Sequence, residues 1–296
     1  MHEIIGGKKQ NLWRRPAVSN FFLGGTGAGF YLLLVLFGQN LGNESWIVKG
    51  HIVRLIPPVL VVAGLLAVAA EAGRPFRGRY LFFNVKHSWM SREILFAAIF
   101  IFLSLLEAMI GGTLLSLLAA SAALLFVISQ AMILQCSSAV PAWNSATTPL
   151  LLISSALLNG FGLALLLQGS NVNLFGIDVL VYGMGCILFN LLTWLWLVYG
   201  PRDTEKRQAL KHLRSKQVLA VAGVLGWLAP FFGMAWLIFK NVLPVSPMES
   251  ISYVIWAAVI LFCGFYRLDR LVFGIDYLRP VWVPEPGESR LGKTQK

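Results

Sequence analysis

Of the chain's 296 residues, 57% are hydrophobic and 12% charged, where a soluble domain has about a quarter charged; the mean hydropathy is +0.72. A fusion of soluble domains is thereby excluded, and a multi-span membrane protein is indicated. The net charge of +11 does not indicate nucleic acid, because no basic helix or RNA-binding aromatic motif accompanies it and the cations fall between apolar runs. With about 20 apolar residues needed per crossing, the sequence predicts helices near 17–38, 52–71, 93–110, 113–135, 147–168, 177–199, 217–239 and 250–268. The expected fold is an all-α integral membrane bundle of eight transmembrane helices, one domain over 1–296 with an extramembrane tail over 269–296.

The first helix opens NFFLGGTGAGF, with Gly24, Gly25, Gly27 and Gly29 close together. Clustered glycines let a backbone come close to a neighbouring helix or to a flat ligand. No strand precedes them, so a dinucleotide fingerprint is not supported. The run follows Arg14, Arg15 and Pro16 and ends without a small-residue cleavage pattern, so it is expected to remain as a helix rather than leave as a signal peptide.

Between helices two and three lies EAGRPFRGRYLFFNVKHSWMSRE, from Glu71 to Glu93, with Arg74, Arg77, Arg79, Lys86 and Arg92 among aromatic rings. Cations mixed with aromatics suit a membrane–water boundary, where rings sit among headgroups and long cations reach outward. The Gly111-Gly112 pair makes the tightest connection. Eight spans put both termini on one side, together with 21 of the 24 lysines and arginines; only Lys49, Arg54 and Lys240 fall on the other. The positive-inside rule makes the richer side cytoplasmic.

Polar groups within spans are costly and so point to function. Glu71 closes helix two and can pair with Arg74; Glu107 lies about 15 residues into helix three, roughly 22 Å along at 1.5 Å per residue, near the far side. Gln130 and Gln135 sit toward the charged end of helix four, and Asn159 and Asn190 near mid-depth. Gln130, Glu107, Asn159 and Asn190 could form a proton path, or simply hydrogen-bond between helices. Cys136, Cys186 and Cys263 are isolated, so no iron–sulfur cluster or disulfide framework is expected. The four histidines, His2, His51, His87 and His212, lie in tails, loops or helix ends, which speaks against bound haem or a metal site. Among them His87, with an ordinary pKa near neutrality, is best placed to exchange a proton.

Three motifs together resemble the NrfD/PsrC family, the quinone-interacting integral membrane subunits of polysulfide-reductase-like complexes. They are FLGGTGAGF, the Glu71–Glu93 segment, and PAWNSATTPLL at 141–151. The likeness covers about 15 to 200; the last two helices are similar only in hydropathy. Where the family signature has aspartate and leucine, this chain has Glu71 and Ala72, and where it has asparagine-proline-arginine, this chain has Asn84, Val85 and Lys86. A histidine of some members matches Asn20, whose amide can hydrogen-bond a quinone carbonyl but cannot deliver a proton at neutral pH.

The resemblance implies a quinone, menaquinone or ubiquinone, as exchangeable substrate held by Asn20, Gly24, Gly25, Glu71, Arg74, Trp89, Arg92, Gln135, Trp143 and Asn144, with His87 and Glu71 handling protons. It implies a ferredoxin-like iron–sulfur subunit docked on the side where helix one begins, and a molybdopterin or other catalytic redox subunit beyond it. The setting would be the cytoplasmic membrane of a prokaryote, and the role respiratory. The competing readings are a transporter or channel, which usually shows repeated halves and broken helices, and a structural anchor with no quinone site.

Overall fold

The computed structural model describes residues 2–5, 13–37, 46–71, 84–169, 177–201, 203–239, 247–275 and 281–283. Among these residues, eight helices are long and apolar enough to cross a membrane, the form in which a chain satisfies its own backbone polar groups within hydrocarbon. They begin with α1 (Arg15–Phe37), α2 (Trp46–Glu71), α3 (Trp89–Ile110), α4 (Thr113–Gln135), α5 (Thr147–Gly169) and α6 (Ile177–Tyr199). A short surface helix α7 (Thr204–Ala209) and a 3-10 turn over Lys211–Arg214 lead to the seventh span. That span joins α8 (Lys216–Val218), a π-helical stretch over Leu219–Leu228 and α9 (Ala229–Phe239). The eighth is α10 (Pro247–Val272).

The all-α membrane bundle is the architecture observed, with two boundary corrections. α3 starts at Trp89, not 93, because the Ser88 side chain caps it, accepting from the Ser91 N–H at 3.4 Å; an N-cap oxygen satisfies one of the four unpaired donors at a helix start. This moves Glu93 from the lip of the helix to its second turn. α10 runs to Val272, and Arg267, counted by sequence with the charges after the last span, is 2% exposed. Its guanidinium lies over the Trp227 ring, 5.1 Å from the centroid, and its three nitrogens have no hydrogen-bond partner. α2 continues through Pro57 and Pro58. The α3–α4 turn uses Gly111 at φ 76° and Gly112 at φ 110°, a region open to glycine and closed to most other residues.

α1 is the hub, packed against α2, α4, α5 and α10. Its glycines make that possible. A Cβ on Gly29 would overlap the Ala156 carbonyl of α5, one on Gly27 would meet the Pro57 carbonyl of α2 at 2.6 Å, and one on Gly24 would meet the Phe126 ring of α4 at 2.8 Å. One apolar core fills the α1–α4 face, around Ala97, Phe100, Ala123 and Phe126. A larger one joins α1 to α5, α6 and the last two spans. At the end where α1 begins, β1 (His2–Ile5) pairs antiparallel with β2 (Val281–Val283), His2 opposite Val283 and Ile5 opposite Val281. The two ends of the chain therefore meet on one side of the bundle.

Candidate functional site

A cleft of about 310 Å³ opens at the end where α1 begins, lined by Trp13, Ala17, Asn20, Phe21, Val68, Met90, Glu93 and Ile133. Seven of these eight come from α1, α2, α3 and α4, and Trp13 lies just before α1. Its walls are apolar or aromatic, and its polar groups converge on one carboxyl. Asn20 Nδ2 donates to Glu93 Oε1 at 2.8 Å, and Gln130 Nε2 donates to the same oxygen at 3.1 Å. Gln130 Nε2 also reaches the Asn20 backbone carbonyl at 3.4 Å, tying α4 to α1. Glu93 is 6% exposed, Asn20 5% and Gln130 1%.

Burying a carboxyl among apolar side chains costs free energy unless donors meet it, and two amides from two other helices do so here. A carboxyl so placed accepts as the carboxylate and donates as the acid, whereas neither amide can change its protonation. Asn20 Oδ1 has no partner, and lies where a Cβ on Gly64 would be 3.1 Å away. The site therefore holds one proton-exchanging group, amide donors and a spare amide acceptor at the head of an apolar slot.

Around this slot the sequence candidates take varied places. Asn20 lines it. Gln130, offered for a proton path, instead supports Glu93. Gly24 faces Phe126 and the Gln130 amide, and Gly25 faces Ala156 at 3.5 Å, so both serve helix packing rather than the lining. Trp143 is fully buried behind the slot: its Nε1 donates to the Leu271 carbonyl at 2.7 Å and its ring meets Trp13 edge-on at 5.8 Å. Trp13 in turn stacks on Phe21 at 5.9 Å. Asn144 Nδ2 donates to the Gln135 carbonyl at 3.0 Å, closing the end of α4. Arg92 turns back to the loop, donating to the Val85 and Lys86 carbonyls at 2.9 and 2.8 Å, and covers the Trp89 ring at 4.1 Å. His87 is exposed on the turn before α3. Glu71 is described by its backbone only, and Arg74 lies outside the described residues.

The remaining proton-path candidates occupy separate clusters. Glu107, 3% exposed, sits at the far end, where Arg54 Nη1 meets its Oε1 at 2.6 Å and Ser116 Oγ donates to it at 3.2 Å. Asn190 Nδ2 donates to Ser154 and Ser155 Oγ, each at 3.0 Å, while its Oδ1 accepts from Trp227 Nε1 at 2.9 Å. Asn159 Oδ1 is buried without a partner. Among the described residues no hydrogen-bonded chain links these groups to Glu93.

Sequence reasoning passed over Glu93, because a helix drawn from 93 made it a boundary charge. The signal was present: Ser88 immediately before the run that opens with Trp89 and Met90 is a helix start, and it puts the acid inside the span. Arg54 was read only as a charge on the poorer side, and its pairing with Glu107 needed the packing of α2 against α3.

The fold and these clefts define a multi-pass membrane protein whose α1–α4 face buries carboxyl groups in apolar slots. The match to known proteins is more particular: residues 10–195 fit the family described as DMSO reductase anchor subunit (DmsC), and the chain belongs to that family. This is a membrane-anchor family related to NrfD/PsrC, not that family itself, and the likeness noted from the motifs is corrected to that extent. No curated protein matches the chain. The matched region contains α1 to α5 and most of α6, hence both Glu93 and Glu107; the last two spans lie outside it.

Proposed function

We propose that this chain is the quinone-reactive membrane anchor of a multi-subunit respiratory oxidoreductase. It exchanges electrons between a membrane quinone and an iron–sulfur partner docked at the end where α1 begins, with a molybdenum-containing catalytic subunit beyond. The observation that carries this reading is the 310 Å³ slot headed by Glu93, Asn20 and Gln130. Its volume falls within the ~300–1,000 Å³ of small-molecule sites, and its few convergent polar groups on apolar walls are their usual composition.

Interconversion of a quinone and its quinol moves two electrons and two protons. Electrons leave or arrive through the partner's clusters, since the redox cofactors are read as belonging to the other subunits. Protons need a group beside the ring oxygen that can carry one. Glu93 takes a proton from a quinol hydroxyl when the quinol is oxidised, or returns one to the quinone oxygen when it is reduced. Asn20 and Gln130 hold the carboxyl in place, and the spare Asn20 Oδ1 accepts from a hydroxyl. Trp13, Phe21 and Met90 give the ring an apolar seat and keep water out. His87, exposed on the turn before α3, would serve proton exchange only outside the slot.

The test is Glu93→Gln, which keeps the shape and removes the proton. In the purified complex, quinone-linked turnover should fall by about 100-fold or more, the range set by general acid–base catalysis, while the iron–sulfur partner still co-purifies. Unchanged turnover in an assembled complex would refute the assignment. Loss of the partner with retained folding would favour a purely structural anchor.

A further inference from the structure

The far end of the α1–α4 face repeats the plan of the proposed quinone slot. Glu93 and Glu107 are fourteen residues apart on α3, and Ser116 and Gln130 fourteen apart on α4. At 100° and 1.5 Å per residue, that spacing returns each pair to within about 40° of one helix face, about 21 Å further along. Because α3 and α4 are antiparallel across the Gly111-Gly112 turn, one register brings Gln130 to Glu93 and Ser116 to Glu107, with hydrogen bonds of 3.1 and 3.2 Å. α1 contributes at both ends as well, Asn20 at one and Tyr31 at the other. Between the two carboxyls lie Ala97, Phe100, Ala123 and Phe126, all fully buried.

At the Glu107 end a cleft of about 440 Å³ is lined by Tyr31, Arg54, Glu107 and Ser116 together with apolar residues that include Leu36 and Leu117. Leu36 is 64% and Leu117 53% exposed, so the cleft reaches the outer, lipid-facing surface. The Tyr31 hydroxyl is buried in this cleft without a partner, although buried phenols ordinarily find one. Arg54 and Glu107 neutralise each other at 2.6 Å. A phosphate would meet no unpaired cation here. A neutral headgroup with ring oxygens would meet a phenol donor, a guanidinium and a carboxyl, with apolar walls for its tail.

From this register and this cleft we infer a second binding site for a quinone-class headgroup, at the membrane face opposite the docking end. The inference rests on the reading of the Glu93 slot as a quinone site, since it extends the same chemistry along the same helices. It concerns binding alone and adds no redox step.

The experiment is photolabelling of the intact complex in lipid nanodiscs with a short-tailed tritiated azidonaphthoquinone, followed by peptide mapping. Two labelled regions are expected, one near Asn20 and Met90, the other near Leu36 and Leu117. Tyr31→Phe keeps the edge-on packing on Phe100 at 5.2 Å and removes only the hydroxyl; Glu107→Gln keeps a partner for Ser116. Each should lower far-end labelling at least ten-fold and leave the docking end unchanged, and Glu93→Gln should do the reverse. Labelling confined to the docking end would overturn the inference. So would far-end labelling indifferent to both variants, or displaced by phosphatidylethanolamine but not by unlabelled quinone. Far-end labelling alone would sustain this site and sink the docking-end one; no labelling at either end would sink both.

Discussion

Gln130 reaches from α4 to Glu93 on α3 at 3.1 Å, and its effect on chemistry is indirect. Replacing it with leucine leaves the carboxyl one amide donor and loosens its aim. Because Gln130 positions Glu93 rather than exchanging a proton, Gln130→Leu should lower turnover by about ten-fold, where Glu93→Gln removes the proton carrier itself. The two can be separated by a pH–rate profile: Gln130→Leu should move the apparent pKa of turnover, whereas a purely structural fault would lower turnover without moving it. Asn190 marks the contrast. Its amide is fully satisfied by Ser154, Ser155 and Trp227, which is what an interhelical clamp looks like. Asn190→Leu would leave the Trp227 N–H buried without an acceptor, at a cost of about 1–3 kcal/mol. Unfolding in mixed micelles should show that loss, with quinone turnover of the folded fraction unchanged.

Helix α1 carries the contacts on which the bundle depends, and its glycines are not equivalent. A Cβ at Gly25 would make ordinary contact with the Ala156 Cβ at 3.5 Å, whereas one at Gly29 would collide with backbone that cannot rotate away. Gly25→Ala should be nearly neutral, and Gly29→Ala should cost about 1–3 kcal/mol or more by overpacking; yields of folded protein and thermal midpoints would rank them. From sequence, the glycine run favoured helix packing but could also have faced a ligand, because spacing says which residues are small and not what stands opposite them. The same limit explains Trp143 and Asn144. A tryptophan-asparagine loop was legible as a feature, but their hydrogen bonds to Leu271 and Gln135 bind the loop to α10 and α4, which only the packing reveals. Glu107 was legible because an acid within a span is costly and must find partners, which here are Arg54 and Ser116. Glu93 was hidden by a helix boundary drawn one turn late. The boundary of α3, rather than its existence, was the weak point of the sequence reading, and one N-cap serine would have corrected it.

At the scale of the whole molecule, hydropathy alone was enough to predict eight spans, since about 20 apolar residues per crossing leave little freedom. It said nothing of how the spans pair, and pairing is what assembles Asn20, Glu93 and Gln130 from three helices. Charge told more about the ends. Cations such as Arg14, Arg15, Lys86, Lys206 and Lys211 belong to the end that holds the Glu93 slot. A partner docking there is best served by an acidic face, and steering between opposite charges weakens as salt rises. Association of the proposed iron–sulfur subunit with this chain should therefore slow by an order of magnitude between low and physiological ionic strength, read as an on-rate in nanodiscs. A salt-independent rate would mean an apolar dock.

The pairing of β1 with β2 has a consequence for biosynthesis. β1 precedes the first span and β2 follows the last, and their register sets His2 against Val283. The ribbon can close only when every span has been inserted and the strand beyond the eighth has emerged. A chain truncated before Val281 would contain all eight spans and half a ribbon at the end proposed for docking. Insertion of all eight spans would thus be written into the surface that the partner meets, so that a partly inserted copy offers it an unfinished platform.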